Sequence, residues 1–329
     1  MAIRIIGLSR RALGIALAVA MLAGCGQAQT GGAMPISSTS TQAKAHTMSG
    51  SSGDLLYVSD GRKGVRIFAF PQGDLVGIIT GLVNARSQCA NKYGNIFITQ
   101  GGSGLGGNIV EFAHGGTSPI NTLALPSFQV PQACSVDRAT GNVAAVINNE
   151  EGQDNISIFL DGQGSPQVYS DPSIQDYEYC AYDDSGDLYI DGFYNGQFVL
   201  AVLPKGSDTF TSIVVNPRIA SGRDLQWDGR YLAIGNVDMI YQVKLSGSKG
   251  NITNAIHMHK NNLEQFWIRG HTFVGGVPVS HGRGPQVVAF WRYPAGGIPT
   301  KVLSPSDFNL KSNITGLSIS VAPSGSHKK

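Results

Sequence analysis

The chain predicts an all-β fold, a six-bladed β-propeller of four-stranded blades, on three observations. A turn signal ending in glycine recurs at Gly53, Gly94, Gly141, Gly186, Gly229, Gly270 and Gly325, at intervals of 41 to 55 residues. That is the period of a four-stranded blade repeat. Between Asp54 and Pro323 no segment keeps an apolar period of 3.6 over three turns, whereas alternating or β-branched runs bounded by Gly, Asn, Asp and Pro occur throughout. Such runs read as strands. The third observation is an internal match among SQCANKYG, QACSVDRATG, EYCAYDDSG, RDLQWDG, EQFWIRG and TGLSISVAPSG.

Residues 1–24 read as a signal peptide, because Arg4, Arg10 and Arg11 precede an apolar run from Ala12 to Met21. Leader segments have this layout, and the run is too short to anchor as a membrane span, which takes about 20 residues. Leu22-Ala23-Gly24-Cys25 resembles the lipobox of bacterial lipoproteins, which implies cleavage before Cys25 and acylation of its thiol. The resemblance places the protein extracytoplasmically on a bacterial membrane. Gly26, where that family's retention signal has aspartate, favours the outer membrane where one exists. Ser9 to Leu13 also resembles a twin-arginine export signal, so the export route stays open between two pathways.

Residues 25–53 form the lipidated cysteine and a tether of Gly, Ser, Thr, Gln and Ala, whose composition cannot offset its ordering entropy by burial. As a coil it spans roughly 25 to 30 Å. The full-chain charge of +2 becomes −1 once the leader's three arginines are removed. No dense basic block remains, so a nucleic-acid partner is not expected.

Residues 54–325 are the propeller and 326–329 a short tail. The strands after each turn glycine are LLYVSD, NIFITQ, NVAAVI, DLYIDG, RYLAIG and HTFVGG, and second strands include VRIFAF, NIVEFA and NISIFL. The matched segments are the innermost strands, with Cys89, Cys134, Cys180, Leu225, Phe266 and Leu317 at one repeat position. The first repeat lacks an inner strand and the last inner strand, near Thr315 to Val321, lacks a follower. Joining the C-terminal inner strand to the three N-terminal strands closes the ring and removes two exposed edges. It also places Gly53 beside Gly325.

LYVSDGRKGVRIFAF looks like the repeat of NHL-type propellers, through Asp60, Arg66, Ile67 and Phe68. The match covers one blade in motif and the whole domain in architecture. NHL-type, lactonase-type and related propellers do many different things, so the fold alone does not assign an activity.

The three domain cysteines share one repeat position on consecutive blades, a spacing read as too wide for a disulfide; three buried thiols are expected. His257 and His259 lie on one face of an outer strand with no third ligand at a recognisable spacing, and His281 stands alone. Gly101 to Gly107 reads as a mobile loop, since it opens no helix. Asn155, Asn251 and Asn313 begin glycosylation sequons without meaning on a bacterial lipoprotein. Trp227 and Trp267 are expected to pack between blades.

Tight turns occupy one face, and the longer loops the other. Arg62, Lys63, Glu150, Glu151, Asp154, Phe193 to Gln197 and His281 to Arg283 belong to the longer loops. The leading ends of the inner strands add Arg86, Gln88, Gln132, Asp176, Glu178, Arg223, Asp224, Glu264 and Gln265 at the channel mouth. Such a ring can hydrogen-bond a polar ligand, or simply line a solvated channel.

Two functions follow. One is a tethered binding or scaffold propeller whose loop face meets a protein, peptide or glycan, without a cofactor. The other rests on resemblance to lactonase-like hydrolases, which implies a divalent cation such as calcium held by Glu178, Asp224 and Glu264. That family's first glutamate has no counterpart here, and Arg86 and Arg223 would oppose a cation.

Overall fold

The computed structural model describes residues 53–61, 64–259, 263–280, 283–303 and 313–323. They fall in one compact unit, His46–Lys329. The leader, Cys25, the tether to residue 52, Arg62, Lys63, His281 and Gly325 lie outside the described residues. No helix among the described residues is long and apolar enough to cross a membrane.

The described chain is all-β. The first strands are β1 (Leu55–Ser59), β2 (Val65–Ala69) and β3 (Leu75–Ile79). Next come β4 (Gln88–Ala90), β5 (Ile96–Gly102), β6 (Gly106–Phe112) and β7 (Pro119–Ala124). They are followed by β8 (Gln129–Val136), β9 (Val143–Asn149), β10 (Asn155–Phe159) and β11 (Gln167–Tyr169). Then come β12 (Asp176–Tyr182), β13 (Leu188–Tyr194), β14 (Gln197–Leu203) and β15 (Thr211–Asn216). After these are β16 (Leu225–Trp227), β17 (Leu232–Gly235), β18 (Met239–Ser246) and β19 (Lys249–His257). The last are β20 (Phe266–Arg269), β21 (Thr272–Ser280), β22 (Arg283–Arg292), β23 (Gly296–Val302) and β24 (Gly316–Ser320).

Neighbours in sequence pair as antiparallel meanders. Three sheets are β4 to β7, β8 to β11 and β20 to β23, and a fourth has the order β24-β1-β2-β3. In that sheet Leu55 faces Ser320 and Ser59 faces Gly316. The remaining sheet has eight strands, two meanders joined where β15 runs parallel to β19, with Val214 facing Lys249 and Asn216 facing Asn251.

The glycine turns work by conformation: Gly94, Gly141, Gly186, Gly229 and Gly270 take φ between 58° and 94°. Side chains other than Asn and Asp rarely tolerate that region. A preceding Asx residue completes the turn. Asn91, Asp137, Asp183 and Asp228 accept the N–H of Tyr93, Ala139, Ser185 and Arg230, each at 2.8 to 2.9 Å. These side chains satisfy backbone donors that the tight turn leaves unpaired.

Six apolar clusters fill the spaces between consecutive four-stranded units. One joins Leu56, Val58 and Phe68 of the first unit to Val274, Val288 and Phe290 of the last. Another stacks Phe273 on Trp291, ring centroids 4.9 Å apart. Each fully buried large side chain contributes about 1.5 to 3 kcal/mol. Cys89, Cys134, Cys180, Leu225, Phe266 and Leu317 are all buried on the first strands of their units. Asp60 and Arg66 form an ion pair in which Asp60 is buried.

Two expectations fail here. Cys89 and Cys134 form a disulfide with Cα atoms 5.7 Å apart, and only Cys180 of the three is a free thiol. The first strands of adjacent units approach closely enough for the ordinary disulfide span, 4.4 to 6.8 Å. The glycine run is also mostly strand, with Gly101 facing Gly107 and Gly102 facing Gly106. A Cβ on Gly107 would come within 2.4 Å of the Gln100 carbonyl oxygen, so glycine there permits close backbone approach.

Candidate functional site: an acidic mouth at the leading ends of the inner strands

A cavity of about 720 Å³ opens at the leading ends of β4, β8, β12, β20 and β24. The β5–β6 and β9–β10 connections add Ser103, Glu150 and Asp154 to its wall. The β5–β6, β9–β10 and β13–β14 connections on this face are short, contrary to the expected long loops, and Phe193, Tyr194 and Gln197 lie within strands; the longer connections here include those from β3 to β4 and from β15 to β16.

Two strand irregularities coincide with the polar lining. Pairing of β8 with β9 shifts between Pro131 and Ala133, leaving Gln132 without a partner residue. Pairing of β12 with β13 shifts between Tyr177 and Cys180, so Glu178 and Tyr179 together oppose Asp191. A bulge of this kind re-aims a side chain that regular pleating would place elsewhere. The Asp191 carboxylate accepts the Tyr179 N–H at 2.9 Å, which secures the bulge.

Among the described residues the wall carries five carboxylates, Glu150, Asp154, Asp176, Glu178 and Glu264, against one guanidinium, Arg86. Burial pushes the Glu178 carboxyl above its ordinary range; Asp176 reinforces this and Arg223 opposes it. Burial also raises Asp154. Glu150 is exposed and is held low by accepting the Gly104 N–H at 2.8 Å. The Arg86 guanidinium donates to the Gln132 carbonyl oxygen at 2.5 Å, and desolvation lowers its pKa. Its Nε is buried without a hydrogen-bond partner.

Of the residues expected at the mouth, Arg86, Gln132, Asp176, Glu178, Glu264 and Gln265 line the cavity. Gln88 does not. It is buried, with its amide nitrogen donating to the Tyr57 carbonyl and its oxygen accepting the Ser59 N–H, both at 3.1 Å. Arg223 and Asp224 also fall outside the lining. Arg223 pairs with Glu264 at 2.9 Å, each about one-third exposed, an arrangement worth at most about 1 kcal/mol.

Glu178, Asp224 and Glu264 do not form the expected ligand set. Both Asp224 oxygens are engaged, accepting the Leu225 and Phe266 N–H groups at 2.9 Å each, and Glu264 faces Arg223. Among the described residues no group of three or more His, Cys, Asp and Glu is arranged to hold a metal ion. Part of the Asp224 side chain still reaches solvent, yet desolvation raises its carboxyl to about 7.

Asp191, not among the expected mouth residues, is fully buried with Oδ2 unpartnered and its carboxyl raised well above normal by burial. A carboxylate inside the apolar run DLYIDG was the available signal. His257 and His259 are both exposed beside a buried Met258. Trp267 packs against an apolar cluster between units, as expected, and Trp227 donates its indole N–H to Asp184 at 2.9 Å.

Fold and site together define a β-propeller. The chain is similar to one in the crystal structure of a nidogen/laminin complex, with a TM-score of 0.65 and 10% identity over 82% of this chain and 99% of that one. It is also similar to a protein of unknown function from Bacteroides caccae, with a TM-score of 0.59 and 12% identity over the same shares of each chain. At such identities the shared property is the fold. No protein-family model matches the chain, and no curated protein matches it.

Proposed function

We propose that this chain is a lipid-anchored, extracytoplasmic binding propeller whose mouth receives a cationic group of a protein or peptide partner. The observation that carries the reading is the excess, among the described residues, of five carboxylates over the Arg86 guanidinium around a cavity of about 720 Å³, with Arg223 pairing only Glu264 of the five. A concave wall with an excess of one charge sign focuses potential and favours the opposite charge. Six blades, with β24 completing the first, are supported by strands grouped in fours and by the pairing of β1 with β24. Anchoring rests on Arg4, Arg10, Arg11, the apolar run and the Leu22 to Cys25 motif. The lactonase-like alternative has less support, because Asp224 and Glu264 already hold other partners.

Calorimetric titration with a hexalysine and a hexaglutamate peptide tests the ligand class. Hexalysine should bind, and the Asp176→Asn/Glu178→Gln double variant should weaken it by about tenfold, or 1.4 kcal/mol. Binding should strengthen between pH 5 and 7.5, since Glu178 and Asp154, held above the ordinary carboxylate range, gain charge as pH rises. Equal binding of hexaglutamate, or an unaffected double variant, would overturn the reading.

A further inference from the structure

The strand switch at β15 releases part of a sheet edge. β15 pairs with β14 through Ile213, Ser212 and Thr211 facing Leu200, Ala201 and Val202. It then pairs with β19 through Val214 to Asn216. Gln197 to Val199 of β14 consequently have no strand partner on that side, although they continue to pair with β13 on the other. Between the diverging strands lies a groove of about 570 Å³ lined by Ile174, Phe198, Val199, Val215 and Ile219, with exposed Val214 at its rim. Among the described residues Arg218 is the one charged residue lining the groove, exposed and in none of the ion pairs they form.

We propose that this edge docks an extended peptide strand of a partner protein, one that alternates apolar side chains and carries a carboxylate where it passes Arg218. An open strand edge offers backbone donors and acceptors to an incoming strand, and pockets for alternate side chains supply specificity. The unpaired length of three residues spans about 10 Å at the usual strand rise. Arg218 selects an acidic partner by charge, and the apolar floor rejects a uniformly polar one. The groove is separate from the mouth and does not depend on the function proposed for it.

Selection of linear decapeptides displayed on phage against the whole propeller tests this site. Recovered peptides should alternate apolar residues and include an acid, and should slow amide exchange at Gln197 to Val199. Arg218→Glu should weaken them at least tenfold and Val214→Lys several-fold, both at exposed positions that leave the core intact. Asp176→Asn/Glu178→Gln should leave them unchanged, which separates this groove from the mouth. Peptides lacking the pattern, peptides insensitive to Arg218→Glu, or a self-dimer abolished by Val214→Lys would overturn the proposal.

Discussion

The two ends of the inner strands differ in how completely their polar groups are satisfied. At the trailing ends Asn91, Asp137, Asp183 and Asp228 begin tight turns and accept backbone N–H groups. Cys89 and Cys134 are bonded, Trp227 reaches Asp184, and Asp228 accepts both the Tyr293 hydroxyl and the Gln242 amide. At the leading ends Arg86 Nε, and beside them Asp191 Oδ2 on β13, are buried without partners, and Glu178 and the neighbouring Asp154 are raised by burial. The inner strands thus carry stabilising closure at one end and incompletely satisfied polar groups around the other. Uncompensated polar groups lower stability, and they are tolerated most readily where a ligand or function uses them.

The largest break in that contrast should come from the trailing end. Cys89→Ser/Cys134→Ser opens a covalent link with a sequence separation of 45, which should cost about 4 kcal/mol in urea unfolding. Mouth binding under native conditions should be retained. Mass analysis of alkylated domain should show one of these three thiols reactive after denaturation and all three after reduction.

A smaller and opposite effect is expected at the leading end. Asp191→Asn keeps an oxygen for the Tyr179 N–H and replaces the unpartnered one. The folded-state pKa of Asp191 lies above its unfolded value, so its contribution to stability is fully present below the unfolded pKa, about 3.9, and is lost as pH rises towards the folded one. The variant should therefore match the wild type near pH 4 and exceed it at pH 8, by about 1 to 3 kcal/mol. Thermal melts across that window check it, and a variant less stable than wild type at pH 8 would reject the description of Asp191 as an uncompensated buried carboxyl.

Smallest of all, Arg223→Gln removes a solvent-screened pair with Glu264 and should shift stability by less than about 1 kcal/mol. Its sharper readout is Glu178, which loses a nearby positive charge. The Glu178 carboxyl should move further upward, measurable by carbonyl-carbon NMR titration.

Strand positions and the glycine turns were legible because period-two runs and positive-φ glycines are local properties. The repeat position of Cys89, Cys134 and Cys180 was legible too, but their separation was not. It depends on how closely β4 approaches β8, which no local pattern encodes. Gln88 shows the same limit: its spacing matched the mouth residues, yet its amide turns inward to Tyr57 and Ser59. The bulges at Gln132 and Glu178 and the switch of β15 from β14 to β19 are likewise relations between strands. The excess of acid at the mouth was visible residue by residue, but became a site only when five strand ends met.

The pairing of β1 with β24 has a consequence for assembly over time. Residues 55–59 are synthesised well before residues 316–320, the strand that completes their sheet. Until then one side of β1 is an open edge, the kind of surface that recruits neighbouring chains. Contacts so distant in sequence form slowly, because loop closure must precede them. This closing strand is therefore a timing element, and the interval before it docks leaves the chain exposed to association with its own copies.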